Sequence, residues 1–379
     1  MSTPELVPGL AGIPAAESSV SFIDGTQGIL AYRGHRIEVL AEKSTFEETT
    51  WLLWNGPLPT RAQLEAFKEE LRPYYALAPE LVTALKALPR DGHPMEALQA
   101  MVAMLGMVSP ACDLKDEASR HDASLRVLAA VPVLVACFER LRRGEELVEP
   151  DPSLSIAANF LWCMNGEKPS AIEERILDCA LVLHAEHTMN ASTFACRVVA
   201  STETGAYTAV SGAVGTLYGP LHGGANERVL QQLEEIGGVE NVKPWFEARV
   251  AAKAKVMGMG HRVYKTKDPR AHSLQNLARE LFESHGSTPL YDTALELERL
   301  AADAFGSRGI WPNVDFFSGI VYQKLGIPTD VFTPIFALAR TAGWLAHWRE
   351  QMGDNKLFRP GQIYTGVHDA EWKDLDDRG

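Results

Sequence analysis

A histidine that follows two glycines and precedes four cations is the most chemically suggestive feature of this 379-residue sequence. Gly258 and Gly260 come just before His261, and glycine lets a ligand approach the main chain closely. The cations that follow are Arg262, Lys265, Lys267 and Arg270. An imidazole beside gathered positive charge suits an anionic ligand. A glycine turn before a solvated basic helix would give the same pattern, so both interpretations stay open on this stretch alone.

Composition limits what that ligand can be. The formal net charge is -13, which argues against general nucleic-acid binding but allows a small anion where cations gather locally. The stretch 256–270 contains neither a G-x-x-x-x-G-K-[ST] phosphate loop nor a G-x-G-x-x-G dinucleotide fingerprint. The five cysteines are scattered without a C-x-x-C pair and predict free thiols in a reducing compartment. With no signal-peptide pattern and no apolar run long enough to span a bilayer, we expect a cytoplasmic protein that does not enter membranes.

Three further histidines are candidates for function. His222 lies between Gly219-Pro220 and Gly223-Gly224, a hinge-like setting that favours a position beside a cleft. His184 and His187 lie three residues apart and are predicted to share one face of a helix. A metal would need another ligand, and the H-E-x-x-H pattern is absent from the sequence. We therefore predict core or substrate-facing histidines and no metal site.

Three charged residues stand in contexts that suggest chemistry. Asp315, among Val, Phe and Trp, would be desolvated and made more basic, although an aspartate there could also cap the following helix. Arg340 interrupts an apolar helix and needs an anionic partner, either an internal carboxylate or a substrate. Arg359 is a lone cation in a near-terminal loop, and its sequence context alone does not indicate a binding site.

The elements that must hold these residues are mostly helical. Residues 20–40 carry the strand signal, with a small hairpin at Asp24-Gly25. Thr45 and Thr60 are predicted to begin the first two helices. The remaining helices are predicted at 79–88, 94–108, 122–143, 151–164, 170–188, 190–202, 206–217, 226–236, 243–255, 269–285, 289–305, 316–325 and 333–351. The length suggests two domains, or one with a sizeable insertion.

Taken together, these residues resemble the citrate synthase family. Two motifs carry most of the resemblance, Gly-Pro-Leu-His-Gly-Gly-Ala-Asn at 219–226 and Gly-x-Gly-His-Arg-Val-Tyr-Lys-x-x-Asp-Pro-Arg at 258–270. Supporting matches lie at 9–13, 23–25, 32–34, 46–48, 187–193, 313–315 and 359–360, so the resemblance covers essentially the whole chain. One departure is Thr188, where many members have glutamate.

The resemblance implies a mostly α two-domain homodimer. The large domain would comprise 1–222 and 322–379, and a small domain would be inserted at 223–321. The family condenses oxaloacetate with acetyl-CoA and hydrolyses citryl-CoA without a metal or redox cofactor. By resemblance, Asp315 is the base, His222 donates to the thioester oxygen, and His261 polarises the oxaloacetate carbonyl.

The resemblance also implies the ligand contacts. Oxaloacetate or citrate would be bound by His187, Arg270, Arg340 and, from the partner subunit of the dimer, the residue matching Arg359. The adenine pocket of CoA would be lined by Val256, Met257, Gly258 and Met259. Further expected CoA contacts are Lys265 at a phosphate, Asn313, and the looser candidates Arg262, Lys267, Arg308 and Lys356.

Three other functions stay open from the sequence. A 2-methylcitrate synthase uses propionyl-CoA with the same motifs, and Phe316, Phe317 and Leu221 are positions that could decide between the acyl groups. A non-catalytic CoA-binding helical protein would be expected to have lost one of the three catalytic candidates, and all are present. A metal-dependent hydrolase built on His184 and His187 would be sensitive to chelators.

Overall fold

The computed structural model describes residues 6–261 and 263–378. Near its start, β1 (Ser21–Asp24), β2 (Ile29–Tyr32) and β3 (His35–Arg36) form an antiparallel sheet in the order β1-β2-β3. The Asp24 carboxylate accepts the backbone N–H groups of Thr26 and Gln27, both at 2.9 Å, and so closes the β1–β2 turn. The predicted hairpin is confirmed. The strand signal to residue 40 is wrong at its end, because Ile37 and Leu40 are one helical turn apart and bury the same face of a helix.

Ten helices precede residue 219 in the described chain. Thr45 and Thr60 cap the second and third of them through their side chains, as predicted. The helices are α1 (Ile37–Lys43), α2 (Phe46–Asn55), α3 (Arg61–Leu71), α4 (Pro79–Ala87), α5 (Pro94–Val108), α6 (Glu117–Arg143), α7 (Ile156–Asn165), α8 (Ala171–His184), α9 (Ala191–Ala200) and α10 (Ala206–Tyr218).

Helix ends differ from the prediction where a cap was missed. Asp116 accepts the N–H of Ser119 at 2.9 Å, so α6 begins at Glu117 instead of 122. Ser155 caps α7, which therefore begins at Ile156 instead of 151. Helix α8 ends at His184, so the prediction that His184 and His187 share one helical face is wrong.

The next five helices pack largely against one another. They are α11 (Ala225–Ile236), α12 (Val239–Ala251), α13 (Pro269–His285), α14 (Pro289–Phe305) and α15 (Asp315–Lys324). Helix α12 begins directly after the glycine pair 237–238 instead of at the predicted 243, because Gly237 adopts φ +74° and ends α11. This group contacts the rest of the chain through α13 against α1 and α8, and through α11 against α16 (Phe332–Gly353).

Helix α16 forms the centre of the core. It packs against α2, α5, α6, α8, α9 and α10, and Trp344 and Trp348 within it have no exposed surface. A helix that is apolar on all sides must be enclosed by other elements. Complete burial of one such side chain stabilises the fold by about 2–3 kcal/mol relative to exposure. The charge of Arg340 is thus held at the middle of the core.

Two predictions concern the chain as a whole. The five cysteines are free, and four of them are buried. None of the helices in the described residues combines the length and apolar composition that spanning a membrane requires.

Candidate active site

Main-chain hydrogen bonds join the glycine loop to the segment before α15. The Gly260 N–H donates to the Trp311 carbonyl at 2.8 Å, and the Asn313 N–H donates to the Gly258 carbonyl at 2.9 Å. The Asn313 side chain also donates to the Gly260 carbonyl at 2.9 Å. Gly258 and Gly260 adopt φ values of +78° and +80°, which favour glycine. The loop therefore holds His261 next to the start of α15.

His261 is neutral and carries its proton on Nε2. Its Nδ1 accepts the backbone N–H groups of Val263 at 3.1 Å and Tyr264 at 3.2 Å, so Nδ1 is unprotonated. Burial, assisted by the charge of Arg270, lowers the pKa of His261 to about 4. At neutral pH the imidazole thus has an Nε2–H without a partner among the described residues, available to donate.

His222 has the opposite tautomer. It lies in the turn between α10 and α11, where a Cβ on Gly223 would come within 2.4 Å of the Leu217 carbonyl oxygen. The His222 Nε2 accepts the backbone N–H of Ser192 at 3.2 Å, which leaves the proton on Nδ1. Burial and then the charge of Arg340 lower its pKa to about 4. His222 is therefore a second neutral donor, with its free proton on the other nitrogen.

Asp315 is the first residue of α15, but it does not cap that helix. The Asn313 side chain accepts the Asp315 N–H at 3.0 Å, so the capping interpretation of Asp315 is wrong. Burial raises the pKa of Asp315 to about 6, while the charges of Arg270 and Arg340 limit the increase. The carboxyl group is thus poised as a base near neutral pH.

His187 lies in the loop after α8, close to the glycine loop. Its imidazole is 5.4 Å from that of His261 between ring centroids, and its Nε2 is 3.3 Å from the Tyr264 hydroxyl. Burial, followed by the charges of Arg270 and Arg340, holds its pKa well below the usual value. The structure brings His187, His261 and Tyr264 together, and Tyr264 had no signal in the sequence beyond its place in the motif.

His184 has a structural setting. Its Nδ1 donates to the Ala180 carbonyl at 2.7 Å, and its ring meets Phe336 edge to face with centroids 5.1 Å apart. Burial lowers its pKa to about 3, so it is neutral. Across residues 6–261 and 263–378, there is no group of three or more histidines, cysteines and acidic residues that could hold a metal.

Arg270 and Arg340, the buried arginines proposed to bind the substrate, differ in their partners. Arg270, near the start of α13, binds Asp268 through two hydrogen bonds of 3.0 and 2.8 Å, a partner that sequence analysis missed. Arg340 donates from Nε to the His184 carbonyl at 2.8 Å and lies over the Phe336 ring. Within the described chain, no carboxylate lies within 4.0 Å of its guanidinium, and burial lowers its pKa to about 10. Arg340 therefore presents a charge that a substrate carboxylate could neutralise.

Hydrogen bonds with Tyr32 and Ser21 hold the loop that carries His187. The Tyr32 hydroxyl accepts the Glu186 N–H at 3.1 Å and donates to the Glu186 carbonyl at 2.9 Å. Thr188 adopts φ +49°, unusual for a β-branched residue, and its N–H donates to Ser21 Oγ at 3.2 Å. Tyr32 belongs to the Tyr-Arg-Gly match, so a sequence signal for it existed, whereas none indicated its role.

Behind this loop lies a buried polar chain that sequence analysis missed. The Glu186 carboxylate accepts from His347 Nε2 at 3.1 Å and from Ser21 Oγ at 3.0 Å. The Nδ1 of His347 accepts from Arg197 at 3.0 Å, and Arg197 in turn binds Glu350 at 2.7 Å. This chain links α9 and α16 to the candidate site.

The other residues predicted to contact ligands differ in their exposure to solvent. Val256 is buried, Met257 and Met259 are partly buried, and Lys265, Arg308, Lys356 and Arg359 are exposed. Lys267 pairs with Glu298 at 3.0 Å. Leu221 is fully exposed, unlike the buried Phe316 and Phe317. Arg262 lies outside the described residues.

Comparison with known proteins identifies this arrangement. A family model described as "Citrate synthase, C-terminal domain" matches residues 9–361. The citrate synthase of Synechocystis sp. is 51% identical over 98% of this chain and 93% of its own. That of Acidithiobacillus ferridurans is 47% identical over 98% of both chains.

Solved structures agree. Citrate synthase from Pyrobaculum aerophilum superposes with a TM-score of 0.93 at 39% identity, over 98% of this chain and 95% of that one. Citrate synthase from Thermoplasma acidophilum, solved as a ternary complex with carboxymethyl coenzyme A and oxaloacetate, superposes with a TM-score of 0.92 at 33% identity, over 99% of this chain and 100% of that one.

The fold and these relatives define an enzyme of the acyltransferase class. The chain belongs to the citrate synthase family. The resemblance, the mostly α fold and the citrate synthase activity predicted from the sequence are confirmed, and the 2-methylcitrate alternative is not favoured by these relatives.

Proposed function

We propose that the chain condenses acetyl-CoA with oxaloacetate and hydrolyses the resulting citryl-CoA at the site described above. One observation carries the proposal. Two neutral histidines with free protons on opposite nitrogens, His222 and His261, accompany an aspartate whose pKa is about 6. A base and two neutral donors are what enolisation of a thioester and attack on a ketone require.

In the first step, the Asp315 carboxylate removes a proton from the methyl group of acetyl-CoA. Negative charge then develops on the thioester oxygen, where the His222 Nδ1–H donates a hydrogen bond. Because burial keeps the pKa of His222 near 4, this donor stays neutral at pH 7 and stabilises the enol or enolate by hydrogen bonding.

In the second step, the enol carbon attacks the ketone carbon of oxaloacetate. The His261 Nε2–H polarises the ketone and gives its proton to the alkoxide that forms. Arg270 and Arg340 bind the substrate carboxylates, since planar guanidinium groups match carboxylates well, and His187 contributes a neutral contact. Water then attacks the citryl thioester, and the CoA thiol leaves.

The proposed domain division gives a route to ordered binding. Asp315, His261 and Arg270 belong to the segment 223–321, whereas His187 and Arg340 come from the remainder of the chain. Oxaloacetate that contacts both parts would close the cleft and complete the acetyl-CoA site. We expect calorimetry to detect much tighter acetyl-CoA binding when oxaloacetate is present, and equal affinities would contradict this order.

The remaining parts of the proposal concern assembly and CoA. The enzyme is a homodimer in which Arg359 enters the partner's site, in keeping with its exposed position. Residues 256–259, Lys265 and Asn313 contact CoA, with Arg308 and Lys356 as looser contacts. No metal or redox cofactor takes part. The free cysteines support a reducing, cytoplasmic location.

The test is release of free thiol from acetyl-CoA or propionyl-CoA in the presence of oxaloacetate. We expect wild type to prefer acetyl-CoA and Asp315→Asn to lose about 10³-fold or more in kcat. Preference for propionyl-CoA would change the substrate assignment while leaving the chemistry intact. Absence of thiol release from folded wild type with either donor would contradict the proposed function.

A further inference from the structure

The β1–β2 turn touches the segment that follows His261. The Lys265 N–H donates to the Gly25 carbonyl at 2.8 Å. A Cβ on Gly25 would lie 2.2 Å from the Val263 carbonyl oxygen, and one on Gly28 would lie 2.7 Å from the Thr266 methyl carbon. Side chains at both positions would therefore collide with segment 263–266. We call residues 25–28 the hairpin seat.

The segment on the hairpin seat contains the residue that contacts both site histidines. Tyr264 is 2% exposed, and its ring lies 4.8 Å from that of His261 between centroids. Its backbone N–H donates to His261 Nδ1 at 3.2 Å, and its hydroxyl lies 3.3 Å from His187 Nε2. Tyr264 thus fixes the tautomer of His261 together with Val263, packs against its ring and contacts His187.

The glycines of the seat belong to a turn that is itself fixed. Asp24 accepts two backbone N–H groups of the turn, and Gly28 adopts φ +67°. The Lys265–Gly25 hydrogen bond uses main-chain atoms only, so it sets the position of the backbone of segment 263–266. A displacement of that backbone would move Tyr264 and rotate the imidazole of His261 with it.

We propose that the hairpin seat and Tyr264 are positioning elements of the condensation site, which hold His261 in line with His187 for oxaloacetate. This inference rests on the proposed roles of those histidines. The His261 Nε2–H must point at the ketone oxygen, and a misplacement of about 1 Å costs about 10²-fold in rate. Burial raises the pKa of the Tyr264 phenol, so its hydroxyl stays protonated and can donate to His187.

Gly25→Ala tests the seat, because the added methyl group meets main-chain atoms that cannot rotate away. We expect the dissociation constant of oxaloacetate, measured by calorimetry, to rise about tenfold, and kcat/KM to fall about 10²-fold. The melting temperature should stay near that of wild type, because the turn is partly exposed. Gly205→Ala is the matched control, since among the described residues a Cβ at that glycine meets no atom within 4 Å beyond its own residue, its chain neighbours and its helix backbone.

Tyr264→Phe and Tyr264→Leu separate the hydroxyl from the ring. We expect Tyr264→Phe to raise KM for oxaloacetate about three- to tenfold and leave kcat nearly unchanged, because the ring still supports His261. Tyr264→Leu should also lower kcat, and the phenylalanine variant thus acts as a conservative rescue. In the double variant Gly25→Ala/Tyr264→Phe, the fold-decrease in kcat/KM should be smaller than the product of the two single decreases, because both substitutions act on segment 263–266.

The outcomes separate this inference from the proposed function. If wild type releases no thiol and binds no oxaloacetate, the proposed function fails and the inference fails with it. If wild type is active and Gly25→Ala matches Gly205→Ala, the inference alone is overturned. It is also overturned if Gly25→Ala loses activity only in proportion to its loss of folded protein.

Discussion

His347 Nε2 lies 3.1 Å from the Glu186 carboxylate, and both side chains are fully or almost fully buried. The second carboxylate oxygen of Glu186 has no hydrogen-bond partner among the described residues. Burial alone would raise the pKa of Glu186, but His347, Arg340 and Ser21 together lower it. The pair stands directly behind His187, so the stability of the core and the shape of the site depend on the same contact.

Replacing His347 by alanine should destabilise the fold strongly. The Glu186 charge would remain buried without its main partner, and breaking such a pair costs about 3–5 kcal/mol. Urea denaturation measures the free energy of unfolding, with the exposed His368 as the control position for alanine substitution. The double variant Glu186→Gln/His347→Gln should be more stable than His347→Ala, because the unpaired carboxylate charge at position 186 is removed. A loss below about 1 kcal/mol in His347→Ala would show that the pair contributes little.

Asp315→Asn should be inactive yet more stable than wild type near pH 7. The folded-state pKa of Asp315, about 6, exceeds the ordinary aspartate value of 3.8, so the folded state holds this proton more tightly than the unfolded state. The stabilisation that protonated Asp315 gives to the folded state is therefore fully present below pH 3.8 and is lost as the pH rises through about 6. Above pH 6, the free energy of unfolding of Asp315→Asn should exceed that of wild type by about 1–3 kcal/mol, and near pH 4 this difference should disappear. Thermal melts at both pH values check this, with Asp91→Asn at an exposed position as the control substitution.

The pH dependence of kcat/KM should have an acid limb near pH 6 that reports Asp315. His222 and His261, with pKa values lowered to about 4, remain neutral there and add no limb at that pH. Because the charge of Arg340 lowers the pKa of Asp315, Arg340→Gln should shift the limb of the residual activity to higher pH. An unchanged limb in Arg340→Gln would mean that another group controls the profile.

Mixed dimers test whether Arg359 completes a site in the partner subunit. Arg359→Ala and Asp315→Asn should each be nearly inactive as homodimers. After denaturation and refolding together, half of the dimers are mixed and each holds one intact site, so about a quarter of wild-type activity should return. Refolding each variant alone is the control. Recovery of no activity, with mixed dimers verified by mass, would contradict a crossed site.

The sequence predicted residues that are locally unusual. His261 and His222 beside glycines, Asp315 among apolar residues and Arg340 in an apolar helix all stand out within a few positions. The charges of Arg270 and Arg340 act on the other three. The sequence could not predict the pair of Glu186 and His347, because 161 residues separate them and neither has unusual neighbours along the chain. Helices α6 and α7 differ from the prediction at their starts because the side chains of Asp116 and Ser155 cap them, and apolar periodicity does not mark a cap.

The central position of α16 has a consequence for biosynthesis. This helix fills the middle of the core formed by α2 to α10, yet it follows segment 223–321 in the chain. During translation, the first ten helices leave the ribosome without the element that they enclose, while α11 to α15 can already pack together. The apolar surfaces of the first ten helices therefore stay exposed until α16 has been synthesised. Chaperone binding to nascent chains should be strongest while residues 219–353 are being translated.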